Sequence, residues 1–234
     1  MVIGDADFFS KLRGVIQRGW INIPAEFPGY GGSGAPGLIL EELIGVKPGS
    51  RDGPDTGVWE LKYHGGTAPI TLFHLEAEPK GNMHQIVRGY GWPDAHGRIS
   101  FRHTIWGSSP RGFRVANDSG RIIVRNEGPN SDPDIVPPFW THDSLISAFV
   151  YKLRRLVVVH GRKRNGMVKY ESARLHWDPN VSAFIGAIEK GIIAIDFDAR
   201  TQPTGNGLRN HGTKFRVKLD DLKYLYSKNQ RFDS

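Results

Sequence analysis

The 234-residue sequence contains no cysteine, which excludes disulfide staples, thiolate zinc sites and a cysteine nucleophile. Any bound metal must take oxygen or imidazole ligands. Acidic residues are in deficit: 24 Asp and Glu stand against 31 Lys and Arg, giving a formal charge of +7 and a pI near 9.7. That balance favours polyanionic partners through steering and counterion release, without naming one. No apolar run approaches membrane-spanning length. Residues 1–20 mix charged with apolar side chains, so they lack the continuous apolar stretch of a secretory signal, and the cytoplasm is the expected location. Low-complexity tracts and internal repeats are missing as well. With 38% apolar and 24% charged residues, the composition is that of an ordered protein, and the length suits one folding unit with two lobes over 1–234.

Phe8, Phe9, Leu12, Val15 and Ile16 recur at helical spacing behind Asp5 and Asp7, which predicts an amphipathic first helix ending near Gly19. A second short helix is expected from Pro36 through Ile39, Leu40, Leu43 and Ile44, closed by Gly45. After a polar turn over 47–54, Val58 to His64 reads as a strand, with Ile70 to His74 its neighbour. A helix follows around Met83 to Tyr90, and Ile99 to Trp106, Phe113 to Ala116 and Arg121 to Arg125 read as strands. Four prolines within 129–140 mark the candidate hinge between lobes. Beyond it the pattern predicts a helix from Asp143 to Leu153, strands at 156–160 and 169–175, and a helix over 181–190. Strands at 192–197 and 214–219 and a final helix complete the reading. Strands and helices mixed in this order predict an α/β (mixed α+β) fold, a central sheet with helices packed on it.

The segment Asp55-Thr-Gly-Val-Trp-Glu60-Leu-Lys62 carries the chemistry. On a strand, Glu60 and Lys62 project from one face roughly 7 Å apart, and Asp55 approaches from the preceding turn. Two hard oxygen donors converging at a strand start suit Mg²⁺, which keeps its other positions for water and phosphate. Lys62 then orients a water or neutralises a phosphate oxygen. A same-face ion pair on a solvated strand is the plainer account of the same residues.

The order Gly37-Leu-Ile-Leu-Glu41, Asp55-x4-Glu60-Leu-Lys62, Thr71-Leu-Phe-His74, Pro79-Lys80-Gly81 and His211-Gly-Thr-Lys-Phe-Arg216 resembles the MvaI/BcnI group of restriction endonucleases, a branch of the MutH-like nucleases. The resemblance implies a PD-(D/E)xK core, with a catalytic motif over 37–81 and two lobes forming a DNA cleft. Asp55, Glu60 and the Leu61 carbonyl would be metal ligands, Lys62 the catalytic lysine and Glu41 a supporting helix carboxylate. It further implies a prokaryotic restriction system in which a monomer, using Mg²⁺ (two ions during cleavage, Mn²⁺ as a substitute), cuts double-stranded DNA. The expected site is a short GC-flanked pseudopalindrome, protected by a cognate methyltransferase.

Residues 205–218 are the expected DNA-reading segment. Arg donates two bonds to guanine N7 and O6, so Arg209 and Arg216 suit the outer G·C pairs, with Asn210, His211 and Lys214 beside them. Relatives begin this stretch with His-Asp where Arg209 and Asn210 stand, which bears on the preference at the centre of the site. His74, Lys80 and Arg88 complete the expected DNA contacts. Gly89 occupies a position where relatives carry arginine. A strand-nicking repair endonuclease and a non-catalytic basic DNA-binding module remain as alternative readings.

Overall fold

The computed structural model describes residues 5–26, 32, 34–46, 53–202 and 207–232. Most of the polar turn expected at 47–54, and Gly205, therefore lie outside the described residues. The first elements are α1 (Asp5–Gln17), β1 (Trp20–Asn22), α2 (Ala35–Ile44), β2 (Glu60–His64), β3 (Ile70–His74), α3 (Met83–Tyr90), β4 (Trp92–Pro93), β5 (Ile99–Ile105), β6 (Phe113–Asp118) and β7 (Arg121–Asn126). They continue as β8 (Phe139–Thr141), α4 (His142–Leu153), β9 (Arg155–Arg164), β10 (Met167–Pro179), α5 (Val181–Glu189), β11 (Ile193–Thr201), β12 (Leu208–Asn210), β13 (Lys214–Val217) and β14 (Tyr226–Phe232).

Two compact units share the chain: residues 1–70, 150–180 and 226–234 form the first, and 71–149 with 181–225 form the second. The Pro-rich stretch 129–140 lies inside the second unit and runs into β8.

In the first unit, β1, β10, β9 and β2 lie side by side and β14 also pairs with β10; β2 runs parallel to β9, and the other pairings are antiparallel. Leu156 to Val159 of β9 are fully buried, as expected for a central strand covered on both faces. One sheet face, with Leu61, Val157, Val159 and Leu175, joins Phe8, Leu12 and Ile16 of α1 and Ile39 and Leu40 of α2 in a single core. Each such side chain removes apolar surface worth roughly 2 kcal/mol. The strand period of two then sends Glu60, Lys62 and His64 to the opposite face. Asn165 and Gly166, both at positive φ, make the two-residue turn between β9 and β10. The basic run Arg162-Lys-Arg164 ends the strand before that turn.

In the second unit, β3, β13, β11, β5 and β4 form a sheet to which β12 adds beside β11, and β6, β7 and β8 form a smaller one. Phe101, Ile105, Ile195, Phe197, Phe215 and Val217 are buried along the larger sheet. Their alternates, Arg102, Thr104, Asp196, Asp198, Lys214 and Arg216, make a charged face.

The final helix expected from the sequence does not form. Leu219–Tyr224 is a short 3-10 turn, and the chain then runs as β14 along β10, from Pro179↔Tyr226 to Ala173↔Phe232. The open edge of β10 offers a row of backbone donors and acceptors, and pairing with it sets the conformation of this segment.

Candidate active site

A tight turn sets the position of Asp55. The Thr56 hydroxyl accepts from the backbone N–H of Trp59 at 2.8 Å, and the Thr56 N–H donates to the Trp59 carbonyl at 3.1 Å. Gly57 between them sits at φ +85°, a conformation that suits glycine. The turn returns Asp55 to the start of β2, where its Oδ2 accepts from the Leu61 N–H at 2.8 Å. Asp55 is 7% exposed and Glu60 1%, so both carboxylates are buried.

Glu60 Oε1 lies 2.6 Å from Lys62 Nζ and 3.6 Å from Lys152 Nζ, the latter in the last turn of α4. Glu60 Oε2 is buried and has no hydrogen-bond partner among the described residues. Burial raises the Glu60 pKa above its ordinary value; the positive charge of Lys62 opposes that, the Asp55 carboxylate reinforces it, and Lys152 opposes it again. Glu41 is half-buried near the end of α2, which packs against β2. The first unit therefore holds Asp55, Glu60, Leu61, Lys62 and Glu41.

No group of three or more His, Asp or Glu side chains forms a metal cage among the described residues. Mg²⁺ does not require one: it binds through one or two carboxylates and keeps several waters. A buried carboxylate oxygen without a hydrogen-bond partner among the described residues, next to a second buried carboxylate, fits such an ion.

All the residues expected to read DNA belong to the second unit. Exposed His74 ends β3, and its ring lies beside Gly212, whose added Cβ would meet the His74 Cδ2 at 3.7 Å. The Leu75 N–H donates to the Thr213 carbonyl at 3.0 Å, which ties the end of β3 to the loop before β13. Asn210 donates to Glu76 Oε1 at 2.7 Å and accepts from the Gly212 N–H at 2.9 Å, while the His211 N–H donates to the Asp198 carbonyl at 2.9 Å. This loop is thus braced by its own neighbours. Lys214 pairs with Asp198 at 2.9 Å and Arg216 with Asp196 at 3.2 Å. Lys80 and Arg88 are exposed, Lys80 just ahead of α3 and Arg88 in its last turn. A Cβ on Gly89 would lie 2.1 Å from Ile135 Cδ1, so an arginine there would have to displace that side chain.

Sequence reasoning missed Lys152, Arg102, Thr104, Asp196, Asp198 and Arg200. Five of these had a signal: Asp196, Asp198 and Arg200 alternate with Ile195, Phe197 and Ala199, and Arg102 and Thr104 alternate with Phe101, His103 and Ile105. Burial works to raise the Asp198 pKa, but Lys214, His211 and Arg102 outweigh it and hold it below its ordinary value. Thr104 donates to Asp196 Oδ1 at 2.6 Å. Arg200 stands directly opposite Arg209 in the β11–β12 ladder, and besides desolvation the nearby charges of Arg98, Arg102 and Arg209 lower its pKa. Like charges placed directly opposite destabilise a strand pair, so this edge stores positive charge at a cost.

Among solved structures, the restriction endonuclease MvaI in complex with its cognate DNA substrate matches with a TM-score of 0.82 and 22% identity, over 99% of this chain and 100% of that one. MvaI in the absence of DNA matches at 0.56 and 19%, over 100% of both chains. These likenesses show the fold, of PD-(D/E)xK nuclease type. No curated protein matches the chain. The model of the MvaI/BcnI restriction endonuclease family matches residues 9–226, which spans both the carboxylate–lysine turn and strand of the first unit and the basic strands of the second; the chain belongs to that family.

Proposed function

We propose that the chain is a Mg²⁺-dependent type II restriction endonuclease that hydrolyses phosphodiester bonds of double-stranded DNA at a short, GC-flanked pseudopalindromic site. The observation that carries this reading is Glu60, a buried carboxylate with one oxygen on Lys62 and the other without a hydrogen-bond partner among the described residues, beside the buried Asp55. Two carboxylates facing a phosphate would repel it unless a cation stood between them. Asp55 and Glu60, with the Leu61 carbonyl, would hold Mg²⁺, and Mn²⁺ could replace it. When bound, the metal supplies positive charge against the phosphate and lowers the pKa of water. Lys62 provides a mobile donor on the same strand face, able to orient the attacking water or to neutralise a phosphate oxygen. Glu41 supports the carboxylates from α2.

The charged face of the second unit's larger sheet, with Arg200, Arg209, Lys214 and Arg216, supplies phosphate and base-edge contacts, joined by His211, Asn210, His74, Lys80 and Arg88. Family membership and the solved MvaI complex with its cognate DNA substrate support DNA as the partner. The enzyme acts as a monomer, and its restriction system includes a methyltransferase that protects the same site.

Digestion of a sequenced plasmid tests this directly. Discrete fragments with Mg²⁺, none with EDTA, and ends mapping to one sequence are expected. Products nicked in one strand would favour the repair reading, and salt-dependent binding without any product would favour a binding module. Asp55→Ala or Lys62→Ala cutting at the wild-type rate overturns the assignment of the site.

A further inference from the structure

The catalytic strand supplies one lysine, yet two ammonium groups converge on the same carboxylate oxygen. Lys62 Nζ is 2.6 Å from Glu60 Oε1, and Lys152 Nζ is 3.6 Å from it. Both lysines are partly shielded, at 24% and 20% side-chain exposure, around a carboxylate that is 1% exposed. They come from different elements: Lys62 lies two residues along β2 from Glu60, and Lys152 reaches in from α4. Lys62 can therefore turn toward a phosphate while Lys152 stays on Glu60.

We propose that Lys152 is a positioning residue of the active site: paired with Glu60, it keeps the metal-free centre electrically balanced and so makes divalent-cation loading depend on DNA. The inference rests on the nuclease reading above. Before DNA arrives, the ammonium groups of Lys62 and Lys152 offset the negative charges of Asp55 and Glu60. A carboxylate pair offset in this way attracts a divalent ion weakly. A phosphodiester adds a negative charge and draws Lys62 off Glu60, leaving a site with a net attraction for the cation. Lys152 meanwhile holds Oε1, so that Oε2, buried and without a hydrogen-bond partner among the described residues, keeps its orientation for the metal. Linkage makes the effect reciprocal: whatever factor DNA adds to metal affinity, the metal adds to DNA affinity.

A plain structural tether between α4 and β2 predicts the opposite response to loss of the lysine, because a loosened Glu60 would bind metal more weakly. The test measures Ca²⁺ binding to the full chain by calorimetry, with and without a DNA duplex carrying the mapped site, and duplex affinity by fluorescence anisotropy with and without Ca²⁺. In Lys152→Met, Ca²⁺ affinity of the free protein is expected to rise about tenfold, because one positive charge close to the cation is gone. The DNA–Ca²⁺ coupling factor should shrink by a similar ratio in both measurements. Lys152→Arg restores wild-type values. Lys152→Gln, which keeps a polar group at the same place, serves if the methionine variant does not fold. Ca²⁺ affinity that is unchanged or weaker in the neutral variant overturns the inference while leaving the nuclease reading intact. A wild-type protein that neither binds Ca²⁺ nor cuts DNA overturns both.

Discussion

The backbone N–H of Leu61 donates to Asp55 Oδ2 at 2.8 Å, so a carboxylate assigned to metal binding also fastens its own turn to β2. The two roles can be separated. Asp55→Asn keeps an oxygen acceptor for the amide and removes the charge, whereas Asp55→Ala removes both. Cleavage should fall at least a hundredfold in each. Thermal stability should fall only in the alanine variant, by about 1–3 kcal/mol for a buried N–H left without a partner. Equal melting temperatures for the two variants would refute the structural half of this prediction.

Lys62→Met leaves Glu60 with Lys152 as its remaining cation of the pair. Duplex affinity in Ca²⁺ should stay within a few-fold of wild type while the single-turnover cleavage rate drops a hundredfold or more, since the proposed role of the amine is to act on the reacting phosphate. A parallel loss of binding and cutting would instead mark Lys62 as a DNA anchor.

On the second unit, Arg209→Gln relieves the like-charge pairing with Arg200 and removes one cation from the charged edge. The free protein should be unchanged or more stable by up to about 0.5 kcal/mol. If Arg209 meets a phosphate, duplex affinity measured across a salt series should show a slope reduced by about 0.9. An unchanged slope with altered cleavage sequence would assign Arg209 to base reading.

His176 on β10 is 4% exposed, and neither ring nitrogen has a hydrogen-bond partner among the described residues. Burial, with the charges of Arg174 and His160, pushes its pKa from 6.5 down to about 4. As pH falls from 6.5 toward 4, the unfolded chain takes up a proton that the native state refuses, so stability is lost across that window. The loss is roughly 3 kcal/mol at full extent. His176→Leu should flatten the fall in melting temperature over this range, and an equally steep profile in the variant would assign the acid sensitivity elsewhere.

Much of the first unit is legible in the sequence, because α1 and β2 announce themselves through local periods that involve near neighbours. The same period of two places Glu60 and Lys62 on one face. Lys152 is not legible, since its contact depends on how α4 docks 92 residues later in the chain. Arg216 and Lys214 read correctly as basic strand residues, but their pairing with Asp196 and Asp198 follows from the β11–β13 register, which no local pattern encodes. The last strand was hidden for the same reason: Tyr226 to Phe232 has no strong preference of its own and takes its form from the edge of β10.

β14 also sets an order of events during synthesis. Every segment of the second unit precedes residue 226, while the first unit waits for Tyr226 to Phe232 to pair with β10 and for the Tyr226 hydroxyl to reach the Leu153 carbonyl at the end of α4. A growing chain therefore has its basic strands complete before the sheet that carries Asp55, Glu60 and Lys62 can close. On the nuclease reading, a chain leaving the ribosome carries its basic strands before the strand that completes the sheet beside Asp55, Glu60 and Lys62.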